Sequence, residues 1–295
     1  KWLASLIVLS KQQHDSRATQ AMKSFHNKVA VITGAGSGIG RALACAFAEQ
    51  GCHLALVDVN AAALQETADT LARITDKRIS THLCDVADRE AMKALPATIE
   101  QQHGAIHLLF NNAGVTINKT FEQNTEADID FVMGINLWGV LYGCYYFLPY
   151  LKKQDEAHII NTSSLAGYLG MPNQSTYCLT KAAVKSLSET LRVELAHYQI
   201  GVTSIHPGTI RTNILRSAAG KSGSNMATTN KLAGLMERYG MPPEKLAKKV
   251  VHAVQKNKMQ VRVGFDSYLG DWLKRLFPSA IHRPFQWGFG KSIAK

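Results

Sequence analysis

The sequence predicts a single doubly wound α/β domain, in which one parallel sheet of about seven strands carries helices on both faces. Short β-branched and apolar runs alternate along the chain with longer segments whose apolar residues recur at helical spacing. The short runs lack the polar alternation of a half-exposed strand, which indicates strands covered on both faces. Right-handed helical crossovers join such strands, and ligands bind beyond their carboxyl ends.

The elements follow in chain order from these two patterns. The predicted strands cover residues 28–33, 53–57, 78–83, 106–110, 158–162, 202–205 and 260–263. The predicted helices cover residues 39–50, 60–73, 88–103, 126–151, 174–198 and 243–257. Because no repeat or low-complexity linker interrupts the series, we expect one domain over residues 26–265.

The composition is that of an ordinary globular protein with an excess of positive charge. Of the 295 residues, 46% are hydrophobic, and 33 Lys and Arg against 22 Asp and Glu give a net charge of +11. This charge favours anionic partners without identifying one. The five cysteines contain no C-x-x-C pair and the histidines lack ligand spacing, so we predict no disulfide framework and no metal site. Free cysteines indicate a reducing, cytoplasmic location.

Residues 1–25 are expected to form a flexible extension at the amino terminus. An apolar run at residues 3–9 is too short to span a bilayer, and no cleavage site of small residues follows it. Met22 begins the segment MKSFHNKVAVITGAG, which is typical of a natural start. The fold prediction therefore begins at residue 26.

Residues 266–295 are predicted to form a basic, aromatic tail. From Met241 onward, 11 Lys and Arg accompany 3 Asp and Glu. The aromatic residues interleaved with these charges are Trp272, Phe277, Phe285, Trp287 and Phe289. Such a segment fits peripheral contact with an anionic membrane surface. It equally fits a tail that packs its rings on the domain and leaves its charges in water.

The loop after the first predicted strand has the composition of a phosphate-binding turn. Residues 34–40 contain four glycines and precede a helix, whose first N–H groups and dipole favour a pyrophosphate. Asp58 ends the second predicted strand, 24 residues after Gly34, where a carboxylate can accept hydrogen bonds from an adenosine ribose. Because that carboxylate repels a 2′-phosphate and the loop before Gly38 has no Arg or Lys, we expect NAD rather than NADP.

An ordered set of short motifs extends the prediction. The residues are Thr33, Gly34, Gly38 and Gly40 in T-G-x-x-x-G-x-G; Asp85 and Val86; Asn111, Asn112, Ala113 and Gly114 in N-N-A-G; Asn136; Ser164; Tyr177 and Lys181 in Y-x-x-x-K; and Pro207, Gly208 and Thr212 in P-G-x-x-x-T. Y-x-x-x-K alone occurs by chance in many proteins, whereas the ordered set is specific. Through it the chain resembles the short-chain dehydrogenase/reductase family, with a Rossmann-type fold, over residues 26 to about 265.

The resemblance implies a role for each matching residue. The implied catalytic residues are Asn136, Ser164, Tyr177 and Lys181. The implied cofactor-binding residues are Gly34, Ser37, Gly38, Ile39, Gly40, Asp58, Asp85, Val86, Asn112, Ala113, Gly114, Tyr177, Lys181, Pro207, Gly208 and Thr212. The resemblance further implies that Lys181 holds the nicotinamide ribose and that Asn136 holds a water connecting Lys181 to solvent.

The residue types also fit this chemistry directly. Tyr177 and Lys181 are four apart on a predicted helix and share one face. A phenol titrates near pKa 10, so a nearby ammonium that favours the phenolate suits a Tyr acid/base at neutral pH. Ser164 can donate a hydrogen bond to a substrate carbonyl oxygen. Ser163 competes for this role, and the family spacing favours Ser164.

The segment at 215–240 is where the resemblance places a substrate-covering lid, and Leu232, Leu235 and Met236 are expected on its underside. With the aromatic tail, this favours a lipophilic alcohol or ketone such as a steroid, retinoid or long-chain compound. The resemblance implies a homodimer or homotetramer through the helices at 126–151 and 174–198, with no nucleic acid as partner. Two other interpretations remain: an epimerase or dehydratase on this scaffold, and a non-catalytic dinucleotide-binding protein attached to a membrane.

Overall fold

Seven parallel strands form one sheet in the computed structural model, which describes residues 22, 24–212, 214 and 226–293. The strand order is β3-β2-β1-β4-β5-β6-β7, and the order reverses beside β1. The strands are β1 Val29–Thr33, β2 His53–Asp58, β3 Ile79–Leu83, β4 Leu108–Asn111, β5 Ala157–Thr162, β6 Ile200–Pro207 and β7 Gln260–Val263. The predicted doubly wound α/β fold is confirmed, and each predicted strand lies within two residues of the observed one.

Helices connect the strands and cover both faces of the sheet. They are α1 Gly38–Glu49, α2 Ala61–Ala72, α3 Arg89–His103, α4 Glu126–Met133, α5 Gly139–Leu151, α6 Ser175–Glu194, α7 Met226–Tyr239, α8 Pro243–Gln255, α9 Phe265–Leu276 and α10 Arg283–Ile293. The helix predicted at 126–151 is observed over that whole range. A π turn at Gly134–Trp138 lies within it and joins α4 to α5. The helix predicted at 174–198 ends at Glu194 and is followed by a short 3₁₀ turn.

Two hydrophobic clusters fill the space between the sheet and its helices. Alternate residues of β1 point to opposite faces, so Ile32 joins one cluster and Val31 joins the other. In the first cluster the ring of Phe47 lies 4.8 Å from that of Phe110 and 5.0 Å from that of Phe25. Burial on both faces explains why these strands read as uninterrupted apolar runs.

The folded part of the chain begins before the expected boundary at residue 26. Met22 and Phe25, which we placed in the extension 1–25, are buried in the first cluster. Their apolar side chains cover α1. Removing this apolar surface from water stabilises the fold. Residues 1–21 lie outside the described part of the chain.

The carboxyl-terminal segment, predicted as a basic, aromatic tail, is helical over most of its length. α9 and α10 cover most of residues 266–295, and Ser267, Gly270 and Asp271 of α9 are buried against the domain. The side chain of Phe289 lies outside the described residues. Part of the expected lid, at 226–239, forms α7, whereas 215–225 and the side chain of Leu232 lie outside the description.

Among the described residues, one helical stretch has the length and composition of a membrane span, Glu126–Leu151. Its side chains Val140, Cys144 and Phe147 are buried in the second hydrophobic cluster, against the sheet. In this fold the stretch therefore serves as a core helix.

Candidate active site

The glycine-rich loop after β1 has a conformation that side chains would disturb. Gly34 and Gly38 have φ angles of +66° and +52°, in the left-handed region that favours glycine. A methyl group on Gly36 would lie 2.9 Å from Ala63 Cβ. The loop therefore keeps its backbone open to a ligand at the carboxyl edge of the sheet, as a pyrophosphate requires.

The amino terminus of α1 faces the same opening. The N-cap residue Ser37 makes no side-chain capping hydrogen bond, and the first turn carries no acidic residue. The first N–H groups of α1 and the positive end of its dipole are therefore available to an anion. This fits the pyrophosphate of a dinucleotide.

Asp58, at the end of β2, holds the loop while retaining acceptor capacity. Its Oδ2 accepts a hydrogen bond from Gly36 N at 2.9 Å, and its Oδ1 accepts one from Asn60 N at 3.0 Å. A carboxylate offers about four lone-pair sites, so room remains for ribose hydroxyls.

Arg41 braces the loop from the other side, a role the sequence did not indicate. Its guanidinium donates to Gly36 O at 2.6 Å and to both carboxylate oxygens of Glu66, at 2.6 and 2.8 Å. The ion pair with Glu66 raises the pKa of Arg41 further. The charge of Arg41 is thus already engaged within the protein.

Thr33 ties the glycine loop to the segment after β4. Its Oγ1 accepts hydrogen bonds from Asn112 N at 2.9 Å and Ala113 N at 3.1 Å, while Asn112 Nδ2 donates to Thr33 O. Gly114 continues this segment toward the catalytic group. A methyl group there would lie 3.3 Å from Lys181 Nζ.

Asp85 and Val86 follow β3 and form one wall of the opening. Asp85 Oδ1 accepts a hydrogen bond from Ala87 N at 2.9 Å, which fixes the turn. Val86 is buried and packs against Gly139, at the start of α5. The two residues lie on the β2–β3 side of the sheet, as expected for neighbours of an adenine.

Tyr177 and Lys181 lie in the first two turns of α6 and share one face. Lys181 is 3% exposed, its Nζ donates to Thr162 O at 2.9 Å, and it lies 5.7 Å from the centre of the Tyr177 ring. Burial lowers the pKa of Lys181 to about 8. Burial also raises the pKa of Tyr177, and a hydrogen bond from Ser164 opposes that rise.

The two adjacent serines after β5 have different partners. Ser163 Oγ donates to Lys181 O at 2.7 Å and so faces the backbone of α6. Ser164 Oγ accepts from Ala166 N at 3.1 Å and contacts the Tyr177 phenol. The structure therefore brings Ser164, rather than Ser163, to the phenol.

Asn136 lies in the π turn and is fully buried. Its side chain accepts from Val115 N and donates to Val115 O, both at 2.8 Å, and it also donates to Thr180 Oγ1 at 3.3 Å. Asn136 Oδ1 and Lys181 Nζ both face Gly114. Asn136 therefore lies beside Lys181 and fixes the path of the chain after Gly114.

Two further residues support the site, and neither was singled out for it from the sequence. His206 Nδ1 donates to Ser164 O at 3.2 Å while Ser204 Oγ hydrogen-bonds its Nε2 at 2.8 Å. Burial lowers the pKa of His206 to about 4, so the ring is neutral. Asp266 Oδ2 accepts from Thr209 N at 2.6 Å. Both contacts join segments far apart in the chain, which no local pattern reveals.

The Pro207–Gly208 turn closes the site on its last side. Gly208 N donates to Val263 O at 2.8 Å, and the space beside its Cα is filled by the Asp266 carboxylate. Thr212 lies next to the glycine loop, with its Cγ2 3.2 Å from where a methyl group on Gly38 would stand. Within the residues described, no cluster of three or more His, Cys, Asp or Glu side chains has the arrangement of a metal site.

A glycine-rich turn at the point where strand order reverses, beside a half-buried Tyr and a buried Lys and Ser, is the geometry of an oxidoreductase on a Rossmann-type sheet. A family model described as short chain dehydrogenase matches residues 28–222, and the chain belongs to this family.

Individual relatives agree with this assignment. The chain is 37% identical over 274 residues to a putative oxidoreductase, SadH, of Mycobacterium tuberculosis, covering 92% of this chain and 98% of the relative. It is 37% identical over 193 residues to a cyclohexanol dehydrogenase of an Acinetobacter species, covering 65% and 76%. The crystal structure of a short chain dehydrogenase/reductase from Burkholderia phymatum in complex with NAD superposes with a TM-score of 0.81 at 31% identity, covering 86% and 95%.

Proposed function

We propose that this oxidoreductase is an NAD-dependent dehydrogenase or carbonyl reductase that acts on a CH–OH group of a lipophilic alcohol or its ketone. The observation that carries the proposal is the buried Lys181, whose Nζ lies 5.7 Å from the centre of the Tyr177 ring on the same face of α6. A bound nicotinamide ring supplies hydride acceptance or donation, and the protein supplies position and proton transfer.

Each catalytic side chain has a distinct task. Ser164 donates a hydrogen bond to the substrate oxygen and holds it beside the phenol. In the oxidation direction Tyr177 Oη takes the hydroxyl proton, and in the reduction direction it returns one to the carbonyl oxygen. Lys181, positively charged at pH 7, favours the phenolate form of Tyr177. Asn136 keeps the segment after β4 in place beside Lys181.

The choice of NAD rests on Asp58 and Arg41. The Asp58 carboxylate lies where the adenosine ribose is expected and repels a 2′-phosphate. Arg41, the nearest basic side chain in α1, is already paired with Glu66 and so does not offset that repulsion. The NAD in the Burkholderia phymatum structure supports the same choice.

Substrate and assembly are proposed from the surfaces around the site. A lipophilic substrate agrees with the cyclohexanol dehydrogenase among the relatives. A homodimer or homotetramer agrees with the exposed aromatic side chains Trp138 and Tyr145 along the 126–151 helix. We place the enzyme in the cytoplasm and its dehydrogenase domain over residues 26–265, preceded by the buried residues Met22 and Phe25.

A substrate panel tests the proposed activity. Purified enzyme is mixed with NAD or NADP and with steroid, retinoid, long-chain and small secondary alcohols, and reduced cofactor is followed by absorbance. We expect turnover with NAD on at least one lipophilic alcohol. Binding of either dinucleotide without turnover on any alcohol would instead favour an epimerase or dehydratase.

Asp58→Ala tests the cofactor preference. Loss of the carboxylate removes ribose hydrogen bonds and the repulsion of a 2′-phosphate, so KM for NAD should rise about tenfold while use of NADP increases. Steady-state kinetics with both cofactors measure this, and the exposed acid Asp69→Ala is the matched control. An unchanged NAD-to-NADP ratio in Asp58→Ala would contradict the assignment.

A further inference from the structure

The helix α9 buries its polar face and exposes its apolar one. Its buried residues are Ser267, Gly270 and Asp271. Its exposed apolar residues are Phe265, Tyr268, Leu269, Trp272 and Leu276, and they share one face at helical spacing. Phe265 is 80% exposed and Trp272 57%. An ordinary surface helix has the opposite arrangement.

Specific contacts fix α9 in this orientation. Ser267 Oγ donates to His206 O at 2.7 Å, and the buried Asp271 carboxylate pairs with Arg262 at 2.8 Å. A methyl group on Gly270 would lie 2.5 Å from Leu165 Cδ1, so the helix packs closely on this side chain. Rotating the helix to bury Trp272 would break the ion pair of a buried carboxylate, which is strongly unfavourable.

The apolar surface continues beyond α9 into the chain's last helix. Phe277, Phe285 and Trp287 are exposed, Trp287 to 74%. The alternative that the tail packs its rings on the domain is therefore wrong for Trp272, Phe277 and Trp287. The exposed apolar residues of α9 and the side chains of Phe277, Phe285 and Trp287 together form what we call the aromatic surface.

The segment that carries the aromatic surface has an excess of positive charge. Residues 266–295 contain five Lys and Arg against two acids, Asp266 and Asp271. Both acids are engaged inside the fold, Asp266 with Thr209 N and Asp271 with Arg262 and Arg275. Lys274 of α9 and Arg283 of α10 add positive charge beside tryptophan and tyrosine, which prefer the boundary between lipid headgroups and acyl chains.

We propose that the aromatic surface docks on an anionic lipid bilayer, with its rings at the headgroup boundary and its Lys and Arg on the phosphates. Charge complementarity and the exposed tryptophans favour lipid over a second copy of this chain, whose matching surface would carry the same positive charge.

The docking surface lies next to the candidate active site. Gly270 contacts Leu165, the neighbour of Ser164, and His282 lies near Gly170 in the same loop. A lipophilic substrate could thus pass from the bilayer to the site over a short distance. This last step rests on the proposed function, whereas docking does not.

Vesicle flotation tests the docking proposal. Full-length enzyme is mixed with vesicles of phosphatidylcholine alone or with phosphatidylglycerol, at low and high salt. We expect flotation with the anionic vesicles, reduced by salt, and a drop of about tenfold in partitioning for Trp272→Ser. Val193→Ser, at the far end of α6 with an exposed apolar side chain, is the matched control and should float like wild type.

Light scattering and dehydrogenase activity separate the alternatives. If Trp272→Ser dissociates an oligomer without changing flotation, the aromatic surface is an interface between copies and the proposal is overturned. Absence of flotation with anionic vesicles overturns it as well. Flotation by an enzyme that turns over no alcohol would support docking while contradicting the proposed function.

Discussion

Lys181 shows at the scale of one residue how burial prepares a proposed catalytic group. The ammonium donates to Thr162 O, and its Nζ lies beside Gly114 and the Tyr177 ring. Its pKa, lowered to about 8 by burial, leaves it charged at neutral pH. Keeping the Lys181 charge close to the phenol therefore costs desolvation free energy.

This desolvation predicts a pH-dependent stability. Because the folded-state pKa of Lys181 lies below its unfolded value of 10.5, the unfolded chain binds more protons between pH 8 and 10, and stability from this group rises over that window. Relative to Lys181→Met, the wild-type free energy of unfolding should gain about 2 kcal/mol from pH 8 to 10. Denaturant titrations of both proteins measure the difference, and a difference that does not change with pH would contradict the burial of the charge.

Some residues of the candidate site were predicted from the sequence, and others were not. Tyr177, Lys181 and Ser164 carry motif spacing, and the structure brings them together. Arg41 and His206 act through contacts across the fold, with Glu66 and with Ser164 O. Such contacts depend on tertiary placement, so local patterns could not reveal them.

At the scale of elements, the start of α9 and the end of β6 are joined through one carboxylate. Asp266 lies beside Gly208 and Gly264 and accepts from Thr209 N and from Ser267 N. Gly264, with φ +100°, turns the chain so that α9 begins at this point. The segment from Pro207 to Thr212, which the family resemblance implies in cofactor binding, is thereby anchored to the carboxyl-terminal helix.

Asp266→Ala should loosen this segment. Loss of a charge-assisted hydrogen bond predicts a rise in KM for NAD of about tenfold, with a smaller change in kcat, because Asp266 does not touch the reacting atoms. Initial rates at varied NAD measure both constants, with Asp69→Ala as the surface control. A fall in kcat as large as the rise in KM, or no change in either constant, would contradict a positioning role.

The boundaries of strands and helices could be predicted from apolar periodicity. Irregularities within these elements could not. The central strands are buried on both faces, the edge strand β3 is partly exposed, and all seven strands were placed within two residues. The π turn at Gly134–Trp138 interrupts a stretch whose sequence reads as a continuous helix. The orientation of α9 was equally hidden, since its burial is decided by Asp271 and Ser267 rather than by its apolar residues.

At the scale of the whole molecule, buried neutral histidines lie on several strands and their flanks. Burial lowers the pKa of His103, His107 and His206 to about 4 and that of His158 to about 3. In the folded protein these imidazole rings stay neutral. In the unfolded chain the same rings would bind protons below pH 6.5. Stability from these groups is present above that pH and is lost as pH falls toward 4.

His107→Asn tests this acid sensitivity. His107 Nδ1 accepts from Val29 N at 3.1 Å, and an Asn side-chain oxygen can accept in its place without titrating. The variant should lose less stability than wild type between pH 6.5 and 4. Thermal melts across that range measure the two slopes, and identical slopes would show that His107 does not contribute.

The central claim is that Tyr177 transfers the proton during hydride transfer to or from NAD. The most direct measurement is cofactor reduction in wild type and Tyr177→Phe, with the substrate alcohol found in the panel and with NAD binding measured in parallel. Tyr177→Phe should still bind NAD and lose activity by about 10²-fold or more, whereas Cys178→Ser, its neighbour in α6, should remain active. Near wild-type turnover in Tyr177→Phe would contradict the account.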